Sequence, residues 1–202
     1  SGAVPEEVYL LPSPELFHKQ LIGEGFGNIF EICKCFRNED SLGTQHNPEF
    51  TMLEWYTMDA DYTDSIRTTE ALFGRLQRYS PSHFPLPFRR LSVHEACKQF
   101  LSIDLYRYQD HQSLLDLCLD RGFSVSHDDS WETLFNMLFL TYVEPSLPDE
   151  DPLVLYDYPE QIYCLAKQQR GTPWRERWEL YWKGVEVANC FTEETDRQNI
   201  KR

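Results

Sequence analysis

The chain has 202 residues, 19 Lys plus Arg against 33 Asp plus Glu, and a formal net charge of −14. That balance excludes a protein held to nucleic acid by its overall field, because neutralising phosphates takes surplus cations. Hydrophobic residues at 41% and aromatic residues at 14% give an ordinary globular composition and exclude a disordered one. The longest apolar runs are too short to span a bilayer and no secretory leader is visible, so a cytoplasmic protein with no membrane partner is expected.

In chain order, Ser13 and Pro14 read as the cap and first turn of a helix, which Gly23, Gly25 and Gly27 end. This Gly-x-Gly-x-Gly follows a helix and precedes a strand, the reverse of a dinucleotide fingerprint, and reads as a loop. Ile29 to Glu39 and Glu49 to Thr57 read as strands, and their short polar connection predicts an antiparallel hairpin. Helical spacing of apolar residues runs from Thr63 to about Arg78, before Pro81, Pro85 and Pro87 break the chain. Ser92 with Glu95 is a capping box opening a short helix through Phe100. Asp110 to Arg121, closed by Gly122, and Ser130 to Tyr142 read as two more helices. Leu153 to Tyr158 reads as a buried strand, Gln168 to Pro173 as a polar loop, and Arg177 to Ala188 as two strands folded at Lys183-Gly184. Strands, then helices at about 81–151, then strands again predict a single α+β domain on an antiparallel sheet flanked by helices. The six cysteines form no Cys-x-x-Cys pair and read as reduced thiols.

Strand alternation puts Arg37 and Glu39 on one face of the first strand, and Phe50, Glu54 and Tyr56 on one face of the second. Charges there need partners. With Lys183-Gly184 as a two-residue turn, Trp182 pairs with Val185 and Tyr181 with Glu186, so Glu179 and Glu186 point to one face. Two readings fit: a solvated outer face, or a site for a divalent cation bound by carboxylates and a nucleotide's phosphates. Asn189 and Glu193, four residues apart, share a side by helical spacing, or belong to a polar tail.

Phe36-Arg-Asn-Glu39 followed by His46-Asn-Pro-Glu-Phe-Thr-Met-Leu-Glu54 resembles motif 2 of the class II aminoacyl-tRNA synthetases in its lysine-type form. Ser13-Pro-Glu15 resembles the upstream helix of that family. Glu179 through Glu193 resembles its segment of metal-binding and substrate-binding carboxylates. Ser13-Pro-Glu15, Leu53-Glu-Trp-Tyr56, Leu153 to Pro159 and the hairpin at Gly184 are similar to the short elongation factor P lysine ligase paralogues within the lysyl-tRNA synthetase group. The resemblance implies a class II synthetase-like catalytic domain that binds ATP and Mg²⁺ and activates lysine or β-lysine as an aminoacyl-adenylate. It implies transfer to a lysine of elongation factor P, with tRNA disfavoured by the acidic charge, and a homodimer.

It also implies roles. Arg37 is the catalytic residue, contacting the α-phosphate and the substrate carboxylate. Glu39 accepts from the adenine amino group, His46 and Asn47 lie near the phosphates, and Phe50 stacks on adenine. Glu179 and Glu186 hold Mg²⁺ and so belong to the ATP site. Glu15, Glu54, Tyr56, Asn189 and Glu193 line the amino-acid pocket. Motif 1, motif 3 and an anticodon-binding barrel are not seen. Two alternatives therefore stand beside the ligase: a lysyl-tRNA synthetase fragment or paralogue, and a degenerate, non-catalytic binding module.

Overall fold

The hairpin predicted around motif 2 is present. In the computed structural model, which describes residues 9–37, 47–80 and 83–200, strands β1 (Ile29–Phe36) and β2 (Glu49–Tyr56) pair antiparallel from Ile29↔Tyr56 to Phe36↔Glu49. The first strand therefore ends at Phe36, short of the predicted Glu39, and Arg37 closes the ladder by donating its amide to the Pro48 carbonyl at 2.9 Å. Glu39 and His46 lie outside the described residues. Helix α1 (Glu15–Gly23) precedes the hairpin. Pro14, not the predicted Ser13, stands at the N-cap position, and Ser13 Oγ accepts the Glu15 amide from one residue further out at 3.1 Å. At the other end, Gly25 at φ +97° lets its amide reach Ile22 and the Phe26 amide reach Leu21, a closure that favours glycine.

The chain divides into two compact units, Ser1–Ala60 and Asp61–Arg202. The first is the helix and hairpin just described. The second carries a four-stranded sheet in the order β3 (Arg89–Ser92), β4 (Leu153–Pro159), β5 (Trp174–Trp182), β6 (Val185–Phe191). β4 to β6 are antiparallel neighbours, as predicted, but β3 joins β4 in parallel, and this edge strand escaped the sequence reading. Lys183 at φ 54° and Gly184 at φ 72° make the two-residue turn with both residues left-handed, the geometry whose twist suits adjacent strands. The predicted pairs Trp182↔Val185 and Tyr181↔Glu186 both form.

Each face of this sheet is covered differently. Helix α2 (Tyr62–Leu76) packs on the face of Val154, Trp178 and Leu180, where Ile66 completes a buried cluster. The Trp178 indole, fully buried, donates to the Tyr62 carbonyl and the Ser65 hydroxyl and fixes that helix in register. The opposite face receives the predicted helical segment: α3 (Val93–Ala96), α4 (His111–Asp120) and α5 (Trp131–Leu138) bury Leu114, Leu134, Phe135 and Leu138 against Leu155, Tyr158 and Tyr181. α3 and α5 each run on into a wider π-type turn, over Cys97–Leu101 and Phe139–Val143, which accounts for the longer helices read from the sequence. All six cysteines are free thiols. Among the described residues no helix is long and apolar enough to cross a membrane. A short helix, α6 (Arg197–Ile200), follows the sheet.

Helix α2 opens with a capping box built from two aspartates, Asp61 taking the amides of Thr63 and Asp64. The Thr63 hydroxyl and these amides hold the Asp61 carboxyl below its ordinary range. Replacing Asp61 by Ala is expected to lower unfolding free energy by about 1 kcal/mol. Because this carboxyl is more acidic folded than unfolded, its contribution is complete above the ordinary aspartate pKa and disappears as pH falls through the depressed value. Chemical denaturation of both proteins from neutral pH into acid should show the gap closing; a gap constant with pH would exclude a role for the charge.

Candidate active site

On the hairpin, strand alternation places Ile29, Glu31, Cys33 and Cys35 of β1 on one face with Tyr56, Glu54, Met52 and Phe50 of β2. Helix α1 lies across this face, with His18 buried against it and edge-on to the Tyr56 ring at 5.8 Å. Glu54 is half-buried, and Ser13 donates to its Oε2 at 2.7 Å. The Arg37 guanidinium lies over the Phe50 ring, 5.2 Å from its centroid, while Arg37 Nε donates to the Pro12 carbonyl at 3.3 Å. The planar cation is thus parked on an aromatic face beside the strand end and stays exposed to solvent. Exposed Asn47 accepts the Glu49 amide. Glu15 pairs with Lys19 one turn along the helix, at 2.6 Å.

In the second unit, Glu179 and Glu186 do share one sheet face. Glu179 stands opposite Asn189, Arg177 opposite Phe191, and Tyr181 opposite Glu186. A bulge between Leu180 and Tyr181 inserts one residue on β6, so that Glu186 and Asn189 fall on the same face although three apart. The Asn189 amide donates to Glu186 Oε1 at 3.2 Å. Glu193 follows in extended chain, bridged to Ala166, so its backbone is not helical.

Glu179 is 6% exposed and fully engaged. Its Oε2 accepts Tyr158 Oη at 2.5 Å and Tyr181 Oη at 2.9 Å, and its Oε1 accepts Arg177 Nη2 at 2.6 Å. The Arg177 guanidinium in turn stacks on Tyr158 at 4.8 Å. Burial opposes the Arg177 charge, and the Glu179 carboxylate more than offsets it, keeping the guanidinium charged. Burial and then the charge of Glu179 push both tyrosine hydroxyls well above their ordinary range, fixing them as neutral donors. The counter-charge beside Glu179 is therefore a guanidinium of the chain itself.

Glu186 sits at the open rim of this face. Desolvation of its carboxyl, then the charge of Glu179, raise its pKa, and Glu144 from the end of the helical segment adds to the repulsion. Glu144 is raised in the same way, by burial first and Glu179 second. Three carboxylates against one guanidinium leave the face electron-rich and offer only oxygen donors. That set suits a hard divalent cation that keeps water and phosphate in its shell. Among the described residues no cluster of three His, Cys, Asp or Glu is arranged to hold a metal unaided.

Sequence reasoning left out the residues that orient this site. Arg177 could have been found, since it stands two residues before Glu179 on the same strand. Tyr158 could not, because it arrives from another strand through a bulge at Asp157. His18 carries no local signal either: its neighbours on the hairpin are 13 and 36 positions away in sequence. A separate cavity of about 350 Å³ is lined by His94, Tyr106, Tyr156, Asp157 and Trp174 and includes none of the predicted site residues. Its aromatic walls meet edge to face, His94 against Tyr106 and Tyr106 against Trp174, and Asp157 Oδ1 is taken by Tyr62 and Gln169.

Comparison with known proteins bears out the resemblance to the lysine-type class II synthetases and the elongation factor P ligases. The chain is 35% identical over 199 residues to the "Elongation factor P--(R)-beta-lysine ligase" of Erwinia tasmaniensis, an alignment covering 97% of this chain and 59% of that protein. It is 35% identical over 194 residues to the "Elongation factor P--(R)-beta-lysine ligase homolog" of Aquifex aeolicus, covering 96% and 62%. It is 35% identical over 209 residues to the "Lysine--tRNA ligase" of Pelotomaculum thermopropionicum, covering 96% and 41%. The chain thus spans about three-fifths of the length of the factor ligases and two-fifths of the tRNA ligase. Residues 1–202 match throughout the family described as tRNA synthetases class II (D, K and N), and this chain belongs to that family.

Proposed function

We propose that this chain is the catalytic part of an ATP-dependent ligase that activates lysine or β-lysine as an aminoacyl-adenylate and transfers it to a lysine of elongation factor P. The observation that carries the reading is the hairpin face: Arg37 parked on Phe50 at the strand end, with Glu54 held by Ser13 two turns of the pleat away. An arginine next to an aromatic ring suits a nucleotide phosphate and base. A half-buried carboxylate on the same face suits an ammonium.

In the first step the amino-acid carboxylate attacks the α-phosphorus and the bond to the β-phosphate breaks, releasing pyrophosphate. Charge grows on the α-phosphoryl oxygens, and the Arg37 guanidinium bridges them and the incoming carboxylate. Phe50 presents its ring to the adenine, Glu39 accepts from the adenine amino group, and His46 and Asn47 serve the phosphates. Glu54, Tyr56, Glu15, Asn189 and Glu193 receive the amino acid. Glu179 and Glu186 would hold Mg²⁺, which neutralises phosphate charge when bound. Arg177, Tyr158 and Tyr181 hold both Glu179 oxygens by hydrogen bonds and keep the side chain aimed. In the second step an acceptor amine attacks the adenylate carbonyl, an amide forms and AMP leaves. No covalent enzyme intermediate is needed; catalysis is positioning plus electrostatics.

The net charge of −14 favours a protein acceptor over tRNA in a cytoplasmic enzyme. The 35% identity to a lysine–tRNA ligase keeps tRNA as the second reading. The test is amino-acid-dependent ATP–pyrophosphate exchange by the whole gene product, with lysine and (R)-β-lysine compared, followed by transfer to elongation factor P or to tRNA. Exchange with either amino acid and label appearing on the factor are expected. Exchange with neither, while a lysine-type ligand still binds, would assign the chain as a non-catalytic module.

A further inference from the structure

Glu31 and Glu54 stand directly opposite each other across β1 and β2. Like charges at such a cross-strand position repel. The imidazole of His18 lies between them: Nε2 is 3.3 Å from Glu31 Oε2, and Nδ1 is 3.6 Å from Glu54 Oε1. The ring is almost fully enclosed, with 4% of its side chain exposed, whereas Glu31 is half open and Glu54 largely covered. Ser13 fills the other Glu54 oxygen, Oε2. Both His18 Nδ1 and Glu54 Oε1 are buried without a hydrogen-bond partner, so each is the polar neighbour the other is offered.

We infer that His18 is a positioning residue for the amino-acid pocket: clamped to Glu31 through Nε2, it sets through Nδ1 where the Glu54 carboxylate stands to receive the substrate's ammonium group. The inference rests on the reading of Glu54 as an amino-acid ligand given above. A carboxylate on a β-strand can rotate about its side-chain bonds. With the hydroxyl of Ser13 on one oxygen and the imidazole backing the other, Glu54 keeps one rotamer. The Tyr56 ring, met edge-on by His18, is fixed by the same contact. None of this reaches Arg37 or Phe50, which stand on the hairpin beyond Met52 and Cys35. The effect should therefore fall on the amino acid and spare the nucleotide.

The two nitrogens can be separated by substitution. The carboxamide of Asn takes the place of Nδ1, which faces Glu54; that of Gln takes the place of Nε2, which faces Glu31. Exchange kinetics of the whole gene product, with KM for the amino acid and for ATP measured separately, should be compared for wild type, His18→Ala, His18→Gln and His18→Asn, each with its Tm. The amino-acid KM is expected to rise about tenfold or more in His18→Ala and His18→Gln and to return to within about threefold of wild type in His18→Asn. The ATP KM is expected to move less than about twofold throughout. Should His18→Ala fail to fold, the Asn and Gln pair decides alone. An amino-acid KM that stays at the wild-type value, that responds alike to Asn and Gln, or that rises together with the ATP KM in step with a lower Tm overturns the inference and leaves the proposed activity standing. Absence of exchange in the wild type overturns both.

Discussion

Replacing Arg37 by Ala is expected to reduce lysine-dependent ATP–pyrophosphate exchange by about 100- to 1,000-fold, the usual cost of removing a donor aimed at a developing oxyanion. Arg37 is exposed, and among the described residues its side chain is tethered by a 3.3 Å bond to the Pro12 carbonyl and the stack on Phe50. Removing it buries no charge and opens no cavity, so Tm should change little. Lysine at this position keeps the charge and loses the fork that spans phosphate and carboxylate together, so Arg37→Lys should recover only a minor part of the rate. Steady-state exchange and a thermal melt on the same preparations check this. A loss below about tenfold for Arg37→Ala would remove Arg37 from the reaction, given that each tenfold step corresponds to about 1.4 kcal/mol of transition-state stabilisation.

Local signals served the sequence reading well where geometry is set by neighbours in the chain. Lys183-Gly184 dictates its own turn, and from that turn the pairing of Tyr181 with Glu186 follows. The capping pair Ser92 and Glu95 marks its helix start for the same reason. The bulge on β6 was not legible, because nothing in Glu186-Val-Ala-Asn189 announces an extra residue. β3 was missed because Arg89 and Arg90 look like loop residues after three prolines, and its partner Leu153–Tyr156 lies more than sixty positions away. The candidate site divides in the same manner. Strand alternation alone places Glu179 and Glu186 on one face and sets Arg177 and Tyr181 beside Glu179 on β5, but the third group that occupies Glu179, Tyr158, comes from β4, which only tertiary pairing brings in. Sequence alone offered solvent or a metal ion as the partner of these carboxylates; the folded chain already supplies Arg177 to one of them and leaves the other at the rim.

That asymmetry predicts opposite phenotypes for the two glutamates. Glu179→Leu strips three donors of their acceptor and strands the Arg177 charge in a mostly buried position. Breaking a buried pair from one side costs about 3–5 kcal/mol, which for a chain of this size lowers Tm by roughly 10–15 °C. Adding Arg177→Met should return part of that loss, since the stranded charge goes with it, and the double-variant cycle measures the coupling. Glu186→Gln should instead fold normally and raise the Mg²⁺ concentration needed for half-maximal exchange by about tenfold. Its stability should also respond to pH with a definite sign. The folded-state pKa of Glu186 is raised, so protonated Glu186 contributes stability that is complete below the ordinary glutamate pKa and is lost as pH rises through the elevated value. The Gln variant has no such loss. Measured by chemical denaturation without Mg²⁺, it should gain on wild type between acid and neutral pH. Saturating Mg²⁺ with ATP should narrow that gain, because a cation beside Glu179 and Glu186 offsets the repulsion that created it. A Glu186→Gln variant that unfolds as readily as Glu179→Leu, with no change in Mg²⁺ dependence, would place Glu186 in the structural network and take it out of the metal site.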